Sequence, residues 1–168
     1  TQLLSTGTAT DAQNALARFL VTAAYLNTTA SEKGLPEENY SFLVHTSGKT
    51  EDHKTDRKTI EAAMTSLVSG AGDEFDAFLA IIYQQAQILY PTASADVLTT
   101  YVIANASRHS FVVLNSKRDR ASAGDKPTVP TCPFTVIIGG NIVSRGVTFP
   151  NLLSMFLVIR AKRNQNRP

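Results

Sequence analysis

Residues 134–156, FTVIIGGNIVSRGVTFPNLLSMF, combine two strand signals with a polar motif between them. The stretch opens with an apolar, β-branched run, FTVII, which is short enough for a strand buried on both faces. Gly139 and Gly140 follow, where a backbone without Cβ atoms can turn sharply or admit a close neighbour. Polar residues and one arginine come next, and the apolar run after Pro150 predicts another buried strand. Ligands of open α/β sheets bind outside the carboxyl ends of strands, so this stretch predicts a ligand site.

Helix and strand signals alternate through the rest of the chain. Apolar residues at helical spacing predict helices, apolar runs predict strands, and Gly and Pro mark their ends. The predicted order is helix 8–27, loop 28–39, strand 41–45, helices 50–70, 73–91 and 94–106, strand 111–114, basic loop 117–133, and strands 134–138 and 152–159. Apolar strands that alternate with helices predict an α/β fold, with a mainly parallel sheet and helices on both faces.

Composition sets the limits of the functional reading. The 168 residues suit one domain, and the net charge of +2 is too small to establish a nucleic-acid partner. Cys132 is the lone cysteine, which excludes an internal disulfide framework and fits a reducing, cytoplasmic setting. No signal peptide or membrane-spanning run is seen, so no membrane partner is expected. Because the chain does not begin with Met, we expect it to be a fragment of a larger multidomain protein.

Two strand ends carry polar motifs. The first, His45-Thr46-Ser47-Gly48-Lys49-Thr50, could hold a phosphate through hydroxyls, backbone amides and a lysine, or could be a plain turn in which Thr50 caps a helix. This motif is not a P-loop, because Leu43 occupies the position where a P-loop has its first glycine. The second, GGNIVSRG, lacks the dinucleotide-binding glycine order. Its Arg145 could contact a phosphate or could be a surface arginine beside a turn.

Two acidic residues and a lysine near the first motif also suggest a nuclease. Glu37, Asp52 and Lys54 mimic the spacing of metal-dependent nucleases that hold a metal with carboxylates. That chemistry needs the second carboxylate and the lysine on a strand between apolar residues, whereas residues 49–56 form a polar run that enters a helix. We interpret the spacing as a chance match. The three histidines do not have the spacing of a zinc site.

The two strand-end motifs carry a family resemblance. SFLVHTSGKTEDH at residues 41–53 and VIIGGNIVSRGVTFPNL at residues 136–152 resemble the Z-one domain family of endonuclease-associated, helicase-like ATPases. The order of the predicted elements matches over nearly the whole chain. The resemblance implies that residues 1–168 form a single RecA-like domain, the second of the pair found in superfamily-two helicases. Such a domain has three layers, and a helical insertion would occupy about residues 72–106.

The resemblance also implies site residues. Residues 41–47 take the place of helicase motif IV, and residues 140–148 take the place of motif V. The residues expected to contact nucleic acid are Thr46, Ser47, Lys49, Asn141 and Ser144. Those expected to line a nucleotide cleft are Gly140, Arg145, Gly146 and Thr148, although helicases often have an aspartate where Thr148 stands.

By this resemblance, the chain is a helicase-like ATPase domain of a bacterial restriction-type DNA-processing protein. Its implied partners are DNA, the first RecA-like domain, and a nuclease subunit or domain. The parent protein would bind ATP and Mg. This chain has no Walker A lysine, Walker B acid pair or arginine finger, so by itself we expect it to bind neither cofactor and not to hydrolyse ATP. The alternatives that stay open are a catalytically inert protein-interaction module and a metal-dependent nuclease.

Overall fold

The structure is a computed structural model that describes residues 9–45, 50–114, 128–139 and 147–157, with backbone alone for residues 9 and 50–56. Within these ranges, one helix and one strand are followed by three helices and then by three strands. In chain order the elements are α1 (Ala9–Glu32), β1 (Tyr40–His45), α2 (Thr50–Ser69), α3 (Asp73–Leu89), α4 (Ala95–Asn105), β2 (His109–Leu114), β3 (Phe134–Gly139) and β4 (Leu152–Leu157).

The four strands form one parallel sheet in the order β2-β3-β1-β4. The strands that carry the two sequence motifs, β1 and β3, are central neighbours, paired from Tyr40 with Phe134 to His45 with Gly139. All four strands therefore begin at one edge and end at the other. We call these the amino edge (Tyr40, His109, Phe134, Leu152) and the carboxyl edge (His45, Leu114, Gly139, Leu157).

One face of the sheet is packed against helices. Phe19 of α1 is fully buried, with its ring stacked on Phe42 at 5.5 Å and edge-on to Phe134 at 6.3 Å. All four helices contribute buried apolar side chains to the same core. Aromatic pairs with this geometry add to the stabilisation that comes from burying the rings.

The other face of the sheet carries a smaller core. Leu43, Leu114 and Ile137 are buried there, and the partly buried Val147 and Phe149 pack against them. The predicted α/β class is confirmed, and the described sheet is wholly parallel. Helices on this second face stay a prediction, because the described helices all belong to the first core.

The first helix is longer than predicted. It runs to Glu32, whereas the sequence favoured a loop from residue 28. The Thr28 hydroxyl donates to the carbonyl of Ala24 at 2.8 Å, so this residue is accommodated inside the helix. The helix ends where Gly34 adopts φ 68°, and Leu35 N donates to Ala30 O at 2.8 Å, a Schellman-type ending. The left-handed conformation of Gly34 thus ends α1 about one turn after Thr28.

The amino edge is held together by side chains from distant parts of the chain. Buried Asn27 accepts from Glu38 N at 3.0 Å, and its Nδ2 donates to Glu38 O at 3.0 Å and to the Tyr101 hydroxyl at 2.9 Å. The Tyr101 hydroxyl donates to Glu37, whose carboxylate also accepts from Arg108 at 3.0 Å. This network, which we call the amino-edge network, joins α1, α4 and the connection into β1.

Candidate nucleic-acid interface at the carboxyl edge

The two predicted motifs start from adjacent positions of the sheet. His45 ends β1 and pairs with Gly139, which ends β3. Leu157 pairs with His45 on the other side, and Leu114 pairs with Gly139. Neighbouring strands are about 4.8 Å apart. The SGK motif and the GGN-x-x-SRG motif are therefore joined to strand ends that lie side by side.

Most of the predicted site residues lie outside the described part of the chain. Residues 46–49 and 140–146 are not described, and they include Thr46, Ser47, Lys49, Gly140, Asn141, Ser144, Arg145 and Gly146. Thr148 is described and exposed. Its carbonyl accepts a hydrogen bond of 2.7 Å from the Thr128 hydroxyl. A contact between Thr148 and a nucleotide stays a prediction.

Gly139 does not need to be glycine for its own backbone. It is the last paired residue of β3, and it is not among the described glycines with positive φ, which are Gly34, Gly70 and Gly72. A Cβ built on Gly139 would lie 3.4 Å from the Leu114 carbonyl oxygen, an ordinary contact. A sharp turn or a close neighbour was expected at Gly139-Gly140; Gly139 itself is a strand residue, and a turn at Gly140 stays a prediction because Gly140 lies outside the described residues.

His45 is a residue of this edge that the sequence reading treated only as a strand end. Its Nδ1 is shielded from solvent, and it has no hydrogen-bond partner among the described residues. The residue as a whole is partly exposed. The sequence contained a signal, because His45 stands directly before the Thr-Ser-Gly-Lys motif. Without strand pairing, however, the sequence does not show that Gly139 and Leu157 flank it.

Basic and acidic residues are unevenly distributed between the segments that follow the carboxyl ends of the strands and the rest of the chain. The segments joined to the four strand ends are residues 46–49, 115–127, 140–146 and 158–168. They hold ten of the 16 Lys and Arg residues and two of the 14 Asp and Glu residues of the chain. The basic ones are Lys49, Lys117, Arg118, Arg120, Lys126, Arg145, Arg160, Lys162, Arg163 and Arg167. The small net charge of +2 is therefore the sum of strongly basic segments and an acidic rest of the chain.

The three residues of the nuclease reading are divided between the two edges. Glu37 lies before β1, at the amino edge, where Tyr101 and Arg108 bond to its carboxylate. Asp52 and Lys54 belong to α2, which begins beyond the carboxyl end of β1. A six-residue strand spans about 20 Å. Within the described ranges there is also no group of three or more His, Cys, Asp and Glu that could hold a metal ion.

Two clefts lie in the helical layer, away from the strand ends. One, of about 360 Å³, is lined by α1 and the start of α4 and includes Tyr25, Glu32 and Ser94. The other, of about 430 Å³, lies between α2 and α3 and includes Ser66, Ser69 and Asp73. Neither contains a predicted site residue. No helix in the described ranges is both long and apolar enough to cross a membrane.

The comparisons with known proteins identify a family but supply no characterised relative. No curated protein and no solved structure matches the chain. The family model described as the Z1 domain matches residues 11–166, which is nearly the whole sequence and includes every predicted site residue. That family is the one the two strand-end motifs resemble, and the chain belongs to the Z1 domain family.

Proposed function

We propose that this chain is the second RecA-like domain of a helicase-like ATPase in a bacterial restriction-type DNA-processing protein. In this proposal, the carboxyl edge supplies part of a DNA-binding groove and one wall of an ATP cleft. The partners are DNA, a first RecA-like domain, and a nuclease subunit or domain. ATP and Mg belong to the parent protein, because the present chain lacks a Walker A lysine and a Walker B acid pair.

The pairing of His45 with Gly139 is the observation that carries the proposal. Two motifs that contact one nucleic-acid backbone must lie close together, and motifs that follow the carboxyl ends of neighbouring parallel strands start close together. The order β2-β3-β1-β4 makes β1 and β3 neighbours, although about ninety residues separate them in sequence. The same edge is where parallel sheets generally bind ligands.

The charge separation supports DNA as the ligand of this edge. Duplex DNA presents a negative charge about every 1.7 Å, and binding neutralises phosphates with Lys and Arg. The basic segments are all joined to the carboxyl edge, whereas the rest of the chain has twelve acidic and six basic residues. A polyanion would therefore be attracted to these segments and repelled by the remainder of the chain.

The proposed nucleotide wall rests on Gly140, Arg145, Gly146 and Thr148. Arginine suits this role because its planar guanidinium can bind two phosphate oxygens at once. In the parent protein, Arg145→Ala should abolish most ATPase activity while leaving the melting temperature unchanged. If the ATPase activity of the Arg145→Ala variant equals that of wild type, the proposed nucleotide wall is wrong.

The direct test is DNA binding by this chain across a salt series. We expect wild type to bind with an affinity that falls steeply as salt rises. The Ser47→Ala/Lys49→Ala variant should bind about tenfold more weakly, and its salt slope should be smaller by about one, because one phosphate contact is lost.

A matched control is available within the chain. Ser31 and Lys33 have the same residue types and spacing, are exposed, and lie at the end of α1 on the amino-edge side. The Ser31→Ala/Lys33→Ala variant removes the same charge and should bind DNA as wild type does. Equal loss in the two variants would indicate non-specific attraction. No binding by wild type would contradict the proposal and favour an inert protein-interaction module.

A further inference from the structure

His45 is one of four residues in the described part of the chain with a shielded side-chain atom that has no hydrogen-bond partner. Its Nδ1 is shielded and has no hydrogen-bond partner among the described residues, yet the residue keeps part of its surface exposed. We propose that His45 is a DNA-contacting residue whose ring donates a hydrogen bond to a backbone phosphate at the carboxyl edge. This inference rests on the proposed function, and it adds His45, which lies in the motif IV stretch, to the residues expected to contact DNA.

The unpaired nitrogen favours one form of the ring. A shielded polar group without a partner costs about 1–3 kcal/mol, and a buried N–H without a partner is rarer than a buried acceptor without one. In a neutral ring, this asymmetry keeps Nδ1 as the acceptor and places the proton on Nε2. The single N–H donor of the ring is then Nε2, and the shielded Nδ1 carries no proton.

The described strand neighbour of His45 on one side has no side chain. Every second residue of a strand points to the same face of the sheet. Ser41, Leu43 and His45 of β1 therefore point to the second face, where Leu43 belongs to the smaller core. On that face, the residue beside His45 in β3 is Gly139, which has no side chain. Among the described residues, a Cβ placed on Gly139 would meet only atoms of Leu114 within 4 Å, so the His45 ring does not fill this position.

The same strand supplies an internal control. Ser41 is fully buried, and its Oγ also has no partner among the described residues. It points to the same face as His45 but lies next to the first residue of β1, at the opposite edge of the sheet. Ser41 therefore matches His45 as a shielded, unpaired polar group but is far from the edge where DNA is expected.

The experiment compares His45→Phe, His45→Gln and Ser41→Ala in DNA binding and in thermal unfolding. Phe keeps a ring of similar size but has no nitrogen, so His45→Phe should bind DNA about tenfold more weakly, with a melting temperature equal to or higher than that of wild type. Gln can place its amide nitrogen close to the position of Nε2, so His45→Gln should retain most of the affinity. Ser41→Ala should keep wild-type affinity and should be at least as stable as wild type.

The outcomes separate this inference from the function on which it rests. If wild type binds DNA and Ser47→Ala/Lys49→Ala weakens binding while His45→Phe binds as wild type does, only the role of His45 is overturned. If His45→Gln loses as much affinity as His45→Phe, the donated hydrogen bond is overturned. If wild type does not bind DNA at all, the proposed function fails and this inference fails with it.

Discussion

The amino and carboxyl edges of the sheet differ in how their described polar side chains are bonded. At the amino edge, Asn27, Tyr101 and Glu37 join three segments through hydrogen bonds. At the carboxyl edge, by contrast, the described side chain of His45 has a shielded nitrogen without a partner there. Hydrogen bonds that are satisfied within the fold stabilise it. Under the proposed function the partly exposed ring of His45 is available to DNA, whereas Ser41, which is equally unpaired at the amino edge, is fully buried. We therefore expect amino-edge changes to alter stability and carboxyl-edge changes to alter binding.

The largest effect is expected from Asn27→Ala. The side chain is 3% exposed, and its loss leaves the backbone N–H and carbonyl of Glu38 and the Tyr101 hydroxyl each without one partner. We expect the free energy of unfolding to fall by about 3 kcal/mol. Urea denaturation measures this change.

The neighbouring residue provides the control for Asn27→Ala. The Thr28 hydroxyl bonds only within its own helix, to Ala24 O and Tyr25 O. Thr28→Ala should change stability by less than about 0.5 kcal/mol, because alanine is also the better helix former. Equal losses in the two variants would show that the amino-edge network adds little beyond helix stability.

A smaller effect is expected at alkaline pH from Tyr101. Burial and the hydrogen bond to Glu37 raise the pKa of Tyr101 above its usual 10.0. The folded state therefore holds the phenolic proton more tightly than the unfolded state does. This contribution to stability is complete below pH 10 and is lost as the pH rises from 10 towards the folded pKa.

The measurement for Tyr101 is urea denaturation between pH 8 and pH 11, the range over which stability should begin to fall. In Tyr101→Phe the fall above pH 10 should be shallower than in wild type, because this residue no longer titrates. Parallel pH profiles in the two proteins would contradict the expected coupling between Tyr101 and the fold.

Asn151 should have a still smaller effect, because it is exposed. It adopts φ 54°, and its Nδ2 donates to the Glu38 carboxylate at 2.9 Å and to Asn39 O at 3.0 Å. Asn151→Ala loses both bonds and places alanine in a left-handed conformation, so we expect a loss of about 1–2 kcal/mol.

Asn151→Gly separates the two contributions. It also loses the hydrogen bonds but relieves the backbone conformation, so it should cost less than Asn151→Ala when chemical denaturation curves are compared. If the glycine variant is the less stable of the two, the left-handed conformation is not a source of strain at this position.

The smallest effect on stability is expected at the carboxyl edge itself. Gly139→Ala places a methyl group in ordinary contact with Leu114 and removes a flexible residue from a strand. Stability should stay within about 0.5 kcal/mol of wild type or rise slightly. A loss of more than about 2 kcal/mol in thermal unfolding would show that this edge is packed as tightly as the amino edge.

Sequence patterns predicted the local elements well where the residues themselves mark the ends. Asp73 begins α3 as predicted, and Ser94 caps α4, accepting from Val97 N at 3.3 Å. The prediction was wrong at the end of α1, because threonines were taken as a loop signal although their hydroxyls can bond back to the preceding turn. In the candidate site, residue types and spacing predicted the two motifs, but His45 was not singled out.

The amino-acid sequence by itself determined the α/β class, the parallel character of the strands and the family, because these depend on local periodicity and on motifs within short stretches. Only the tertiary structure decided that β1 lies between β3 and β4, that His45 pairs with Gly139, and that Asn27 bonds to Tyr101. These relations join residues 94 and 74 positions apart. The physical reason is that strand pairing and buried hydrogen bonds between distant residues depend on how the whole core packs, which no local pattern encodes.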